Sequence, residues 1–86
     1  MNNGLTIDSL GNKYWRSNNL WHREGGPAIE YANGDKSYYF HGECHREDGP
    51  AIETVSGFKY WYFHGKKINV SCQEEFKRFL RLKAFW

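Results

Sequence analysis

The chain has 86 residues, enough for one domain and too few for a large hydrophobic core, so every large side chain matters. Aromatic residues make up 19% of it and supply the apolar area that small size withholds. A formal charge of +2 is mild and argues neither for nor against nucleic acid, and no segment is long and apolar enough to span a bilayer.

The opening Met1-Asn2-Asn3-Gly4 has no basic region followed by an apolar run, so no signal peptide is expected. From Gly11 onward the chain copies itself. Gly11, Gly34 and Gly57 stand at a constant interval of 23 residues. At the same interval Lys13, Lys36 and Lys59 align, as do Trp15, Tyr38 and Trp61. His22-Arg23-Glu24-Gly25-Gly26-Pro27-Ala28-Ile29-Glu30 matches His45-Arg46-Glu47-Asp48-Gly49-Pro50-Ala51-Ile52-Glu53 at every position but Gly25/Asp48. A period of this length marks one supersecondary unit in tandem, with neighbours burying a shared core.

Each unit reads as two short strands and two turns. Asn33-Gly34 is a hairpin signal, because both residue types tolerate positive φ. Lys36 to His41 is rich in aromatics that suit a pleated surface, Gly42 ends that strand, and Glu43 to Asp48 reads as a polar turn. Gly49-Pro50 opens the next strand, Ala51 to Val55, since Pro fits a strand's first residue. Ser56-Gly57 turns the chain into Lys59 to His64. The prediction is an antiparallel meander of about five or six strands over residues 5–70.

Alternation assigns two faces. Trp15, Tyr38 and Trp61, with Ser17, Phe40 and Phe63, form the expected core face. Arg16, Tyr39 and Tyr62 lie opposite, beside Tyr14, Ser37 and Tyr60, with hydroxyls free to reach water or a partner.

The character changes at Ser71. Ser71 and Glu74 fit a capping box, acidic Glu74 and Glu75 precede basic Lys77, Arg78, Arg81 and Lys83, and Phe76, Phe79, Leu80 and Lys83 share one stripe. Leu82, Phe85 and Trp86 widen that stripe. A C-terminal helix over 72–86 is expected to cap the sheet, within a single domain of residues 1–86.

Tyr39-Phe40-His41-Gly42, then Gly49-Pro50-Ala51, then Gly57, resembles the glycine spacing of MORN repeats, which run at this period as successive β-hairpins. The His-Arg-Glu-Asp-Gly-Pro-Ala form is similar to the repeat of many small proteins of tailed bacteriophages and of some bacterial MORN-like proteins. The resemblance covers residues 11–70, and Gln73 through Trp86 is similar to the tails of such phage proteins. It departs at Ser17-Asn18-Asn19, where the other units have Phe-His-Gly, and at Ile68-Asn69, where His-Arg is expected. The resemblance implies an interaction scaffold, here a phage-encoded inhibitor or modulator of a bacterial host or defence protein, acting in the host cytoplasm.

The histidines are the candidates for catalysis and metal binding. His22 and His45 stand beside Arg23/Glu24 and Arg46/Glu47, yet catalysis needs different residues converging on one point, whereas repetition reproduces structural needs. Turn-holding Arg and Glu, with His packed on the adjacent Pro, is the expected arrangement. His22, His41, His45 and His64, with Cys44 beside His45, show no HxxxH or CxxC spacing, so no metal and no cofactor are expected. Cys44 and Cys72 are too few for a disulfide framework and read as reduced thiols of a cytosolic protein.

The reading is therefore a non-enzymatic protein-binding module. Its expected partner surface is Arg16, Arg23, Tyr39, Arg46 and Tyr62, because Tyr and Arg dominate interface hot spots. The alternative is a nucleic-acid or nucleotide-binding protein that stacks bases on aromatics between Lys13, Lys36, Lys59, Lys66 and Lys67. An exposed first or last strand would also invite a homodimer.

Overall fold

The computed structural model describes residues 4–83, the side chain of Lys83 excepted. The strands are β1 (Gly4–Ile7), β2 (Lys13–Ser17), β3 (Leu20–Trp21), β4 (Ile29–Glu30), β5 (Lys36–Ser37), β6 (Tyr39–Phe40), β7 (Glu43–Cys44), β8 (Ile52–Glu53), β9 (Lys59–Phe63) and β10 (Lys66–Ile68), and the helix α1 spans Gln73–Lys83. The fold is a mainly antiparallel meander with one short C-terminal helix, as expected. The main sheet runs β1-β2-β4-β5-β8-β9-β10, with β3 on β2, and β6 pairs with β7. One edge is β1, whose Leu5 and Ile7 are 49% and 55% exposed; the other is β10, which carries Lys66 and Lys67.

Strands are more numerous than the five or six expected, because each aromatic strand changes partner midway. Tyr38 donates its N–H to the Ala51 carbonyl (2.7 Å), while its own carbonyl accepts from His45 (3.0 Å). Trp15 does the same with Ala28 (2.8 Å) and His22 (3.0 Å). The first half of each strand therefore pairs with a return strand, and the second half with the far arm of its own hairpin.

Two kinds of turn alternate. At Asn18-Asn19, His41-Gly42 and His64-Gly65 both central residues have positive φ, between 47° and 84°. Left-handed pairs of this kind match the twist of the flanking strands. Asn18-Asn19, which departs from the His-Gly of the other units, makes the same turn, since Asn tolerates the left-handed region. The polar turn expected from Glu43 also begins later, because Glu43 and Cys44 form the strand β7. At the opposite side, Gly11, Gly34 and Gly57 donate to the carbonyls of Asp8, Tyr31 and Thr54 at 3.1, 2.9 and 3.0 Å. Asn33-Gly34 closes a hairpin as expected, but only Gly34 has positive φ. That is the three-residue loop ending in a left-handed glycine. Side chains tie these turns together: Asn12 Oδ1 accepts from Ala32 N–H (2.7 Å) and Asp35 Oδ1 from Val55 N–H (2.9 Å).

Both faces contribute to the core, not the Trp face alone. Ala28, Ala51 and Trp61 are buried, whereas Trp15 and Tyr38 are only half-buried. On the other face Tyr14, Ile29, Ser37, Ile52 and Tyr60 form one cross-strand row, in which Ile29 and Ser37 are buried. On the Trp face the register Lys13↔Glu30↔Lys36↔Glu53↔Lys59 alternates charge at every step. Opposite charges facing each other across strands favour this register.

The helix begins at Gln73, and Phe76 N–H reaches the Cys72 carbonyl at 3.2 Å. The expected Ser71/Glu74 capping box is replaced: Cys72 stands at the N-cap position, and Ser71, one residue before it, donates its N–H and Oγ–H to Glu75 Oε1 at 2.7 and 2.6 Å. The Ser71 side-chain bond holds the Glu75 carboxyl below its ordinary pKa. Phe76 is fully buried, Phe79 and Leu80 are half-buried, and Leu82 is exposed. Phe85 and Trp86 lie outside the described residues, as does the Lys83 side chain. The helix sits on the last hairpin. Phe79 meets Phe63 edge to face (5.9 Å), Trp61 Nε1–H donates to Gln73 Oε1 (2.8 Å), and Gln73 Nε2 reaches the Glu47 carbonyl (3.5 Å).

Candidate protein interface

The Arg turns cover the Trp face. The Arg23 guanidinium lies 3.8 Å from the Trp15 ring centre, and its Nη1 donates to the Pro27 carbonyl (3.1 Å) and to Glu30 (2.9 Å). Arg46 lies 4.0 Å from Tyr38 and donates to the Pro50 carbonyl (3.1 Å), Glu53 (3.1 Å) and Asp48 (3.0 Å). Gly26 and Gly49 make this possible: a Cβ there would stand 2.9 and 2.7 Å from the guanidinium carbon. Arg holds the turn as expected, but the carboxylate partners common to both copies are Glu30 and Glu53 of the return strands, and Glu47 bonds His45 instead of the loop backbone. Both guanidinium groups are thus engaged within the chain.

The histidines act between hairpins. His22 Nδ1 accepts the backbone N–H of His41, and His45 Nδ1 that of His64, each at 2.9 Å. The paired rings stack at 4.3 and 4.1 Å. Accepting at Nδ1 places the proton of a neutral ring on Nε2, from which His45 donates to Glu47 (3.1 Å). Phe40 and Phe63 flank the two rings at 4.6 and 4.9 Å. The ring contacts thus run to the next turn, where packing on proline was expected. Among the described residues no three His, Cys, Asp or Glu side chains gather as a metal site.

The opposite face brings Arg16 and Tyr39 together through a residue that sequence reasoning missed. Trp21 pairs directly with Arg16 across the Asn18-Asn19 turn and meets Tyr39 edge to face at 5.2 Å. It is 37% exposed. Arg16, Asn19, Leu20, Trp21 and Gly42 line a hollow of about 390 Å³. Tyr39 stands opposite Cys44, Tyr62 stands opposite Lys67, and burial raises the Tyr39 hydroxyl pKa. Arg23 and Arg46 belong to the other face, so the five expected residues divide between two surfaces. The signal for Trp21 was its place two residues beyond an Asn-Asn turn, directly across from Arg16.

Burial pushes the Cys44 thiol up to about 11, whereas Cys72 is exposed. Thiolate is the reacting form. Iodoacetamide at pH 8 is therefore expected to label the native protein once, at Cys72, and twice after denaturation, read by mass spectrometry. Equal rates at both thiols in the native protein would refute the burial of Cys44.

A second opening, of about 430 Å³, lies on the Trp face between the two Arg turns. Tyr38 and Phe40 line it, together with Glu24 of the first turn and Arg46, Glu47 and Asp48 of the second. Phe40 is 37% exposed. No protein-family model, no curated protein and no solved structure matches this chain.

Proposed function

We propose that the chain is a MORN-like tandem-hairpin module that binds a protein without catalysing a reaction, and that its partner is a bacterial host or defence protein met by a phage inhibitor in the host cytoplasm. The observation that carries the binding reading is the pair Arg16 and Trp21 lining a shallow hollow, with Tyr39 packed edge to face on Trp21. Trp, Tyr and Arg are the residue types that anchor protein interfaces. Bonds between successive hairpins that return at the 23-residue interval support the repeat: Gly42 N–H to Trp21 carbonyl, then Gly65 N–H to Cys44 carbonyl. The Arg and His groups serve the same bonding role in both copies, which favours scaffolding over chemistry. Three of the five lysines that a nucleic-acid reading needs, Lys13, Lys36 and Lys59, alternate with Glu30 and Glu53, which leaves that row little net field, and Lys66 and Lys67 stand apart on β10.

Capture from bacterial lysate on immobilised protein, identified by mass spectrometry, tests the reading. Trp21→Ala with Tyr39→Ala is expected to weaken capture by on the order of 2 kcal/mol or more, with the thermal midpoint monitored in parallel. A gel-shift titration with random single-stranded DNA and RNA at two salt concentrations is the counter-test. Tight, salt-sensitive shifts would replace protein binding with the nucleic-acid alternative.

A further inference from the structure

Helix α1 shows what the open cleft accepts. It rests on Glu47, Trp61 and Phe63: Gln73 bonds the Glu47 carbonyl and the Trp61 indole, and Phe79 covers Phe63. Twenty-three residues earlier stand Glu24, Tyr38 and Phe40, and all three line the cleft between the Arg turns. The last hairpin therefore has its aromatic floor covered by the chain's own helix. In the preceding hairpin Arg46 roofs the Tyr38 ring, and Phe40, the equivalent of Phe63, is left partly bare.

The rim fixes the charge of the occupant. Arg23 and Arg46 are already answered by Glu30 and Glu53. Glu24 is exposed, and the side chains of Glu47 (62%) and Asp48 (88%) stay open to solvent while bonded to His45 and Arg46. The cleft thus offers an aromatic floor under an acidic rim. Helix α1 has the complementary chemistry, with Phe79 between Lys77, Arg78 and Arg81.

We propose that this cleft docks a helical segment of a partner protein carrying an aromatic side chain flanked by basic residues, its ring packed on Phe40 as Phe79 packs on Phe63. The proposal rests on the protein-binding reading and places a second contact on the face opposite Trp21 and Tyr39. Binding energy would come from edge-to-face packing on Phe40 and from desolvated contacts between its cations and the rim carboxylates.

The probe is a capped peptide of residues 73–83, added in trans to the full chain and followed by NMR chemical shifts up to millimolar concentration. Saturable shifts are expected at Glu24, Gly25, Gly26 and Tyr38. Phe40→Ser in the protein, or Phe79→Ala in the peptide, is expected to weaken binding at least about tenfold, the cost of losing one packed aromatic anchor. Glu24→Lys, on an exposed turn, keeps the test alive if Phe40→Ser fails to fold, and it too should weaken binding, more so at low salt. Absence of binding, shifts confined to the Trp61 indole and Phe63, or affinity indifferent to Phe40 and Glu24 would each overturn the proposal. The outcome is independent of the lysate capture, which reads the Trp21 face: loss of capture there with no peptide binding here would sink the cleft and leave the protein-binding reading standing.

Discussion

Phe76→Ala is expected to destabilise the protein by about 3–5 kcal/mol, the usual cost of emptying a buried aromatic site. Phe76 is fully buried and stacks at 5.9 Å on Phe79, which in turn covers Phe63. An eleven-residue helix has little stability of its own in water, so its anchoring is mostly tertiary. Loss of the anchor therefore frees the helix and bares Trp61 and Phe63 together. In a domain this small each kcal/mol moves the midpoint by about 4–8 °C, so thermal unfolding followed by tryptophan fluorescence should show a fall of about 12 °C or more. A change under about 1 kcal/mol would mean that α1 contributes little to the core.

Gly34→Val should be nearly as damaging, for two separable reasons. Gly34 has φ +101°, where a β-branched residue is strained by about 1–3 kcal/mol. A Cβ at this position would also stand 2.5 Å from Val55 Cγ1 in the neighbouring turn. Gly57 supplies the control. Its φ is +100°, and an added Cβ would meet nothing within 4 Å. Urea unfolding of Gly57→Ala and Gly34→Ala therefore isolates the steric part, and Gly34→Val adds the β-branch. The order expected is Gly57→Ala mildest and Gly34→Val most severe. Equal losses at the two alanine variants would show that Val55 yields without cost.

The antiparallel meander and its C-terminal helix were legible because glycines, aromatics and charges recur along the sequence at one interval and give way to a helical stripe after Ser71. The two faces were legible too, since alternation in a strand obeys the pleat. What was not legible depended on atoms brought together from far along the chain. Asn33-Gly34 and His41-Gly42 look like equivalent turn signals. Only the second takes left-handed geometry at both residues, because its arms pair directly across a two-residue loop. Arg23 and Arg46 carry the residue type of an interface, and nothing local says that Trp15 and Tyr38 lie beneath them. The nearby Gly26 and Gly49 were the hint, since a bare backbone permits close approach of the guanidinium. Trp21 stands outside the aromatic columns, so no recurrence marked it, and Glu75 displaced Glu74 because the helix starts two residues after Ser71.

The two edges of the sheet make the molecule directional. At β10 two lysines stand along the outer strand, and charge of one sign repels a second copy of itself. At β1 the strand Gly-Leu-Thr-Ile carries no charge, and Leu5 and Ile7 point to the same side as Trp15. Two copies meeting there would lie antiparallel about a two-fold axis, each lending the same edge to the other. Such a contact consumes both apolar edges at once and leaves only lysine-bearing strands outward. Association by this route closes at two subunits and cannot propagate into a fibre, because a head-to-tail chain would need the β10 edge as acceptor.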